Sequence, residues 1–179
     1  QSIFGLEVTG LLKAGELYNK YWIDRGSEYV SCFRAPMSCA NNIVRLKVVN
    51  TPEMQHWYQY MKTVTILNSW DTTTHATNGA DKDGDMYLLT DNKVLVENTL
   101  NLPALMCAQR KAPKKKIEEA DLILANKNSF GDEIGKTTNR ITTMFDIQAQ
   151  YEPDSKEYQV LEYRIQCGQL FQQNAIRYL

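Results

Sequence analysis

The sequence predicts an α+β fold, with strand-forming segments in the first 112 residues and helices in the remainder. Three observations carry this. Short runs with two-residue alternation or β-branched enrichment recur as far as residue 96. Beyond residue 116, apolar residues return every three or four positions instead. Between the two patterns lies a basic run, Arg110-Lys111-Ala112-Pro113-Lys114-Lys115-Lys116, where the composition shifts. The organisation read from this is a β-rich domain with inserted helices over 1–112 and a helical segment over 113–179.

Taken in order, residues 6–25 read as a helix. Leu6, Leu11, Leu12, Leu17 and Tyr21 recur at mixed three- and four-residue steps, and Gly26 follows as a stop. Residues 29–33 alternate as a strand, and residues 43–49 alternate apolar and basic side chains as a second. Thr51-Pro52 has the look of a helix start, with Thr51 as cap and Pro52 at the first helical position. Residues 62–67 are β-branched and read as a strand, and residues 69–85 as a polar loop. Residues 86–89 and 93–96 look like two strands around the turn Thr90-Asp91-Asn92. Helices are expected over 102–110, 117–126 and 132–148, the last with Ile134, Ile141 and Phe145 on one side. A final helix over 158–179 places Tyr158, Leu161, Ile165, Gly168, Phe171 and Ala175 on one stripe.

Composition excludes several classes. With 20 Lys and Arg against 21 Asp and Glu, the net charge of −1 argues against a free-standing, charge-driven nucleic-acid binder and leaves only a local patch. No apolar run approaches the roughly 18–20 residues of a membrane span, and the first residues lack the segments of a signal peptide. The cysteines Cys32, Cys39, Cys107 and Cys167 form no C-x-x-C pair, so buried reduced thiols and a cytoplasmic location are expected. With only His56 and His75 available, a structural zinc site is not expected.

Chemistry concentrates in Asn78-Gly79-Ala80-Asp81-Lys82-Asp83-Gly84-Asp85, where three carboxylates alternate. In a strict strand they would line one face about 6.6 Å apart. Gly79 and Gly84 allow a tighter path on which the three converge. Two charges about 5 Å apart at an effective dielectric near 20 repel by about 3 kcal/mol, so convergence calls for a cation. Carboxylate oxygens suit Mg²⁺ or Ca²⁺. The bland reading of the same residues is a solvated acidic turn. An EF-hand loop fails on spacing, because places six and twelve from Asp81 are Met86 and Asn92. An Asp-nucleophile phosphatase loop fits poorly, because residues 71–80 are polar where that family has a buried apolar strand.

The run Gly79-Ala80-Asp81-Lys82-Asp83-Gly84-Asp85-Met86 resembles the D-x-D-G-D signature of two-barrel RNA polymerases. It looks closest to the silencing-type RNA-dependent RNA polymerases and phage single-chain RNA polymerases, and is also similar to the large catalytic subunit of cellular transcription enzymes. Upstream, Phe33-Arg34-Ala35-Pro36 resembles the segment that precedes the metal loop in those enzymes. Downstream, residues 100–111 resemble the helix that follows it. More weakly, residues 131–135 and the late helix through Cys167-Gly168 look like the helices after the barrel.

The resemblance implies part of a double-psi β-barrel carrying the metal loop, followed by helices. It implies that Asp81, Asp83 and Asp85 hold a catalytic Mg²⁺, with Mn²⁺ as a substitute, and that a second Mg²⁺ arrives with the nucleotide. The reaction would be attack of the RNA 3′-hydroxyl on the nucleotide α-phosphate, a two-metal displacement. Arg34 would contact the nucleotide sugar or the RNA end. The Asn that cellular enzymes place two residues before the first Asp is Gly79 here, which puts the 2′-hydroxyl reading role of Asn78 in doubt. Lys82 would partly offset its acidic neighbours or face solvent. Template nucleic acid, nucleoside triphosphates and further polymerase domains are the implied partners, with no membrane.

Two-barrel enzymes run to many hundreds of residues. The chain is therefore expected to be a fragment, inactive alone, with its first barrel strands upstream of Gln1 and exposed strand edges through which it self-associates. The alternatives are a non-catalytic divalent-cation-binding module and an Asp-nucleophile phosphoryl-transfer hydrolase. The basic run over 110–116 reads as a solvated linker before a nucleic-acid track. Trp22, Trp57 and Trp70 read as packing residues before base-stacking ones, and His75 as incidental.

Overall fold

The computed structural model describes residues 2–35, 37, 40–77, 80, 84–104, 116–129 and 133–177. The chain divides into two compact units, Gln1–Met106 and Cys107–Leu179. In the first, six strands alternate with short helices: β1 Ser2–Leu6, β2 Glu16–Tyr18, α1 Lys20–Asp24, β3 Tyr29–Phe33, β4 Val44–Val48, α2 Pro52–Tyr58, β5 Val64–Leu67, α3 Thr73–Ala76, β6 Met86–Thr90 and α4 Lys93–Asn98. The strands close into a barrel in the order β1-β5-β2-β4-β3-β6. Pairing is mixed. β1 with β5 and β2 with β4 run parallel, and the other neighbours run antiparallel. A closed, six-stranded, mixed barrel with helices is the α+β architecture expected, and it is compatible with a double-psi barrel.

Alternation along the strands builds the interior. Val30 and Cys32 of β3, Val44 and Leu46 of β4, and Tyr87 and Leu89 of β6 point inward with Phe4, Leu17 and Leu67. Phe4 meets Tyr87 edge to face at 4.6 Å between ring centres. A second cluster lies outside the barrel wall, where Tyr18 and Ile66 pack with Leu12 against Met54 and Tyr58 of α2. Ile66 and Leu67 of β5 are therefore both buried, one on each face. α2 starts as the sequence predicts: the Thr51 hydroxyl accepts from the Met54 backbone N–H, and Pro52 opens the first turn.

Four expectations are corrected. Residues 6–25 form no single helix, because Gly10 and Gly15 sit at φ +79° and +77° and break the run. Their leucines serve two different cores, Leu12 outside the barrel and Leu17 inside it, so the helical spacing is coincidental. With β2 inside that range and β1 just before it, six strands close the barrel and each has a neighbour on both sides. The expected strand over 93–96 is helix α4, because Asn92 caps it by accepting from the Leu95 backbone N–H. One turn of helix, α3, interrupts the expected polar loop over 69–85. Residues 102–104 are not helical, and the rest of the helix expected over 102–110 lies outside the described residues.

Two carboxylates, Glu7 buried and Asp71 half-buried, organise the ends of the strands. Glu7, 2% exposed, accepts from the backbone N–H of Gly10 at 2.7 Å, from the backbone and hydroxyl of Thr9, and from the Tyr58 hydroxyl. Asp71 accepts from the Gly15 N–H at 2.7 Å, the Thr73 N–H at 2.8 Å and the Asn68 amide. Burial alone would raise both pKa values. The hydrogen bonds to the charged forms outweigh it and hold both below the ordinary value.

The second unit holds α5 Glu119–Ser129, α6 Glu133–Gln148 and α7 Lys156–Arg177. α6 and α7 form an antiparallel hairpin joined by Ala149–Ser155. Ile141 and Gln148 of α6 and Ile165, Gln169 and Gln172 of α7 are buried, and the Gln172 amide donates to the Thr138 hydroxyl at 2.6 Å. The expected α7 stripe is thus shifted: Ile165 faces α6, but Phe171 is 70% exposed and Gln172 takes the seam. Phe145 of α6 is likewise exposed. A Cβ on Gly168 would lie 2.8 Å from Cγ1 of Ile141, so glycine is what lets the helices approach there.

Two outcomes follow. Gly135, on the same hairpin, has open space around it. Gly135→Ala should stabilise the second unit by about 1 kcal/mol through helix propensity. Gly168→Ala should lower its thermal midpoint despite the same propensity gain, by about 1–3 kcal/mol of overpacking. Calorimetry of the pair checks the opposite signs. For Glu7, a depressed folded pKa means that stability is fully present above the unfolded value of about 4.3 and is lost as pH falls through the lower folded value. Glu7→Gln should cost about 1–3 kcal/mol at pH 7 and flatten the acid limb of a stability–pH curve measured by urea melts.

Candidate metal loop and its shoulders

The loop of interest enters from α3 and leaves into β6. Of the residues expected to act there, Asn78, Asp81, Lys82 and Asp83 lie outside the described residues, whereas Asp85 and Arg34 are described. Gly84, at φ +122°, adopts a conformation natural to glycine just before Asp85 and β6. Among the described residues no three His, Cys, Asp or Glu side chains come together as a metal-ligand group.

The exit shoulder is set by strand pairing. β3 and β6 are antiparallel with Phe33 opposite Leu88 and Cys32 opposite Leu89. One step further in this register puts Arg34 opposite Tyr87, with Asp85 on the diagonal, within reach of a long side chain. The Arg34 guanidinium Nη2 donates to Asp85 Oδ1 at 2.7 Å, and the two side chains are 18% and 19% exposed. A charge-assisted bond of this length, largely screened from water, fixes the carboxylate's direction more firmly than a surface pair would. Two segments 51 residues apart, each singled out from sequence, thus meet at one end of the barrel.

The entry shoulder is buried. Thr77, the last described residue before Asn78, is fully inaccessible, and its hydroxyl donates to the Thr74 carbonyl at 2.9 Å. With that proton committed, Thr77 accepts a hydrogen bond from the hydroxyl of Tyr87, which lies inside the barrel. Burial pushes the Tyr87 phenol up, so it remains a donor throughout the physiological range. The amide of Asn42, also fully buried, donates to the Ala76 carbonyl at 2.6 Å. Ala80 packs against the barrel core one residue before Asp81. Thr77, Tyr87 and Asn42 were not anticipated as site residues. The available signal was the inward position of Tyr87 in an alternating strand, since a buried phenol needs a partner.

The other candidates fall elsewhere. His75 is exposed on α3. Trp22 packs against the barrel core, while Trp57 and Trp70 are 60% and 69% exposed. Cys32 is a buried free thiol whose pKa burial raises, and Cys167 is free as well; Cys39 and Cys107 lie outside the described residues. At the other end of β3 and β6 is a cleft of about 690 Å³, where the Arg45 guanidinium stacks on Tyr29 at 4.3 Å. Its cations, Arg25, Arg45 and Lys93, are matched by Glu28, Asp91 and Glu97, so it offers an anion no net attraction. No described helix is long and apolar enough to cross a membrane.

The three aspartates expected to act as ligands carry hard carboxylate oxygens, the donor type that suits Mg²⁺ or Mn²⁺. Of the three, Asp85 is the described one; it lies immediately before β6, and its Oδ1 accepts from Arg34.

No protein-family model matches the chain, and no curated protein matches its sequence. Among solved structures, the RNA dependent RNA polymerase QDE-1 from Thielavia terrestris is similar at 15% identity and a TM-score of 0.46. That likeness covers 96% of this chain and 17% of the polymerase, so the chain corresponds to a minor part of that protein's length.

Proposed function

We propose that the chain carries the metal-binding loop of a nucleic-acid-templated RNA polymerase of the two-barrel kind, and that its barrel is of the double-psi type. The observation that supports this most is the Arg34–Asp85 bond. It joins the arginine of the Phe33-Arg34-Ala35-Pro36 segment to the last aspartate of Asp81-Lys82-Asp83-Gly84-Asp85, at one end of a closed barrel. The hydrolase alternative expects a buried apolar strand leading directly into its nucleophile loop, whereas the one-turn helix α3 precedes the loop here.

In this reading Asp81, Asp83 and Asp85 hold Mg²⁺, or Mn²⁺ in its place. The ion supplies Lewis-acid polarisation of phosphate oxygens and of the attacking 3′-hydroxyl. Asp85 is held in direction by Arg34 before the ion arrives, which lowers the reorganisation needed on binding. The Arg34 guanidinium, a planar fork of donors, is the chemical type that suits a sugar hydroxyl or a phosphate of the incoming nucleotide or the RNA end. Lys82 offsets part of the loop's negative charge, and Asn78 stands near the nucleotide's ribose. Template nucleic acid, nucleoside triphosphates and further polymerase domains complete the enzyme, which works in the cytoplasm.

The test uses the full-length protein with template RNA or DNA, nucleoside triphosphates and Mg²⁺ or Mn²⁺. Asp83→Asn should lower nucleotide incorporation more than about a thousandfold, because several kcal/mol of transition-state stabilisation is lost with the ion. Its thermal midpoint should stay near the wild type's. A wild-type protein that makes no RNA on any template overturns the reading, and so does an Asp83→Asn variant that retains full synthesis.

A further inference from the structure

We propose that the hydroxyl pair of Tyr87 and Thr77 positions the metal loop, acting on the aspartates through the backbone rather than touching substrate. The inference rests on the reading of the loop as a metal site. Thr77 lies four residues before Asp81, and Tyr87 lies two residues after Asp85. A hydrogen bond between their side chains ties the strand that leaves the loop to the helix that enters it.

Both residues are fully buried, which excludes water as a replacement partner. The donor direction is fixed, since Thr77 commits its own proton to the Thr74 carbonyl. The tie is anchored on each side. Tyr87 is held in the barrel by the Phe4 ring and sits between β1 and β3, while the turn carrying Thr77 is held by the Asn42 amide at the Ala76 carbonyl.

The physical need for such a tie lies in the charge of the loop. Three carboxylates repel one another, and a loop relieves that repulsion most easily by spreading its ends. A buried hydrogen bond between the residues that flank the loop opposes that spreading. Arg34 bonds the last carboxylate on one side, and the Tyr87–Thr77 pair joins the entry and the exit of the loop. Plain core packing would need the ring of Tyr87 but not its hydroxyl, and this difference is what an experiment can separate.

The experiment titrates Mn²⁺ alone into the full-length protein, reading free Mn²⁺ by electron paramagnetic resonance well below the melting temperature. Tyr87→Phe keeps the ring and should weaken Mn²⁺ binding about five- to tenfold, the worth of one hydrogen bond. Thr77→Val should do the same, the double variant should be no weaker than either alone, and Thr77→Ser should restore wild-type affinity. Leu12→Ala, in the cluster outside the barrel wall, serves as the packing control; it should lower thermal stability while leaving Mn²⁺ affinity unchanged. If Tyr87→Phe binds Mn²⁺ as the wild type does, or if Leu12→Ala weakens binding as much, the positioning role is overturned. Asp83→Asn separates the two levels. Loss of Mn²⁺ binding in Asp83→Asn together with wild-type binding in Tyr87→Phe overturns the positioning role alone. Wild-type binding in Asp83→Asn overturns the metal loop and the positioning role with it.

Discussion

β6 lies between β1 and β3, antiparallel to both, and this placement closes the barrel. Five strands without it would leave two open edges and a core exposed along one side. Closure also fixes the register in which Phe33 faces Leu88, and from that register the Arg34 guanidinium comes within 2.7 Å of Asp85. The same strand delivers Tyr87 to the interior, where it packs on Phe4 and reaches Thr77. One pairing thus places both shoulders of the acidic loop.

The strands are short, three to five residues each, so pairing alone is a modest source of stability. The ends are secured by buried polar groups instead. Glu7 gathers the turn after β1, and Asp71 with Asn68 gathers the turn after β5 onto Gly15 before β2. Each carboxylate is ionised and surrounded by donors that the chain itself supplies, which explains why burial does not raise its pKa. The helical unit uses a different device. Its α6–α7 seam is sparse in large apolar residues, and Gly168 allows a close approach at Ile141 while Gln172 bonds across to Thr138.

The acidic loop of the barrel unit is flanked by two kinds of support. A loop of like charges is unstable on its own and has to be held by what surrounds it. On the exit side the support is ionic and largely screened from water, at Arg34; on the entry side it is neutral and fully buried, at Thr77, Tyr87 and Asn42. The ionic shoulder is suited to interact with a charged ligand, whereas the buried shoulder is suited to resist motion.

By itself the sequence determined the α+β class, the alternation of β3 and β4 and the Thr51-Pro52 helix start, and it singled out Phe33-Arg34-Ala35-Pro36 and the acidic loop, of which Arg34 and Asp85 meet. Those are local properties, legible because they depend on neighbours within a few residues. Tertiary structure decided the rest. Leu12 and Leu17 mimicked one helical face until the left-handed glycines at 10 and 15 sent them to different cores. Val94 and Leu95 looked like strand until Asn92 capped a helix that buries only Val96. Barrel closure, the meeting of Arg34 with Asp85 across 51 residues and the bond from Tyr87 to Thr77 depend on strand register. Register is a property of the whole sheet, since each short strand could pair in several ways and only simultaneous burial of all the inward side chains selects one.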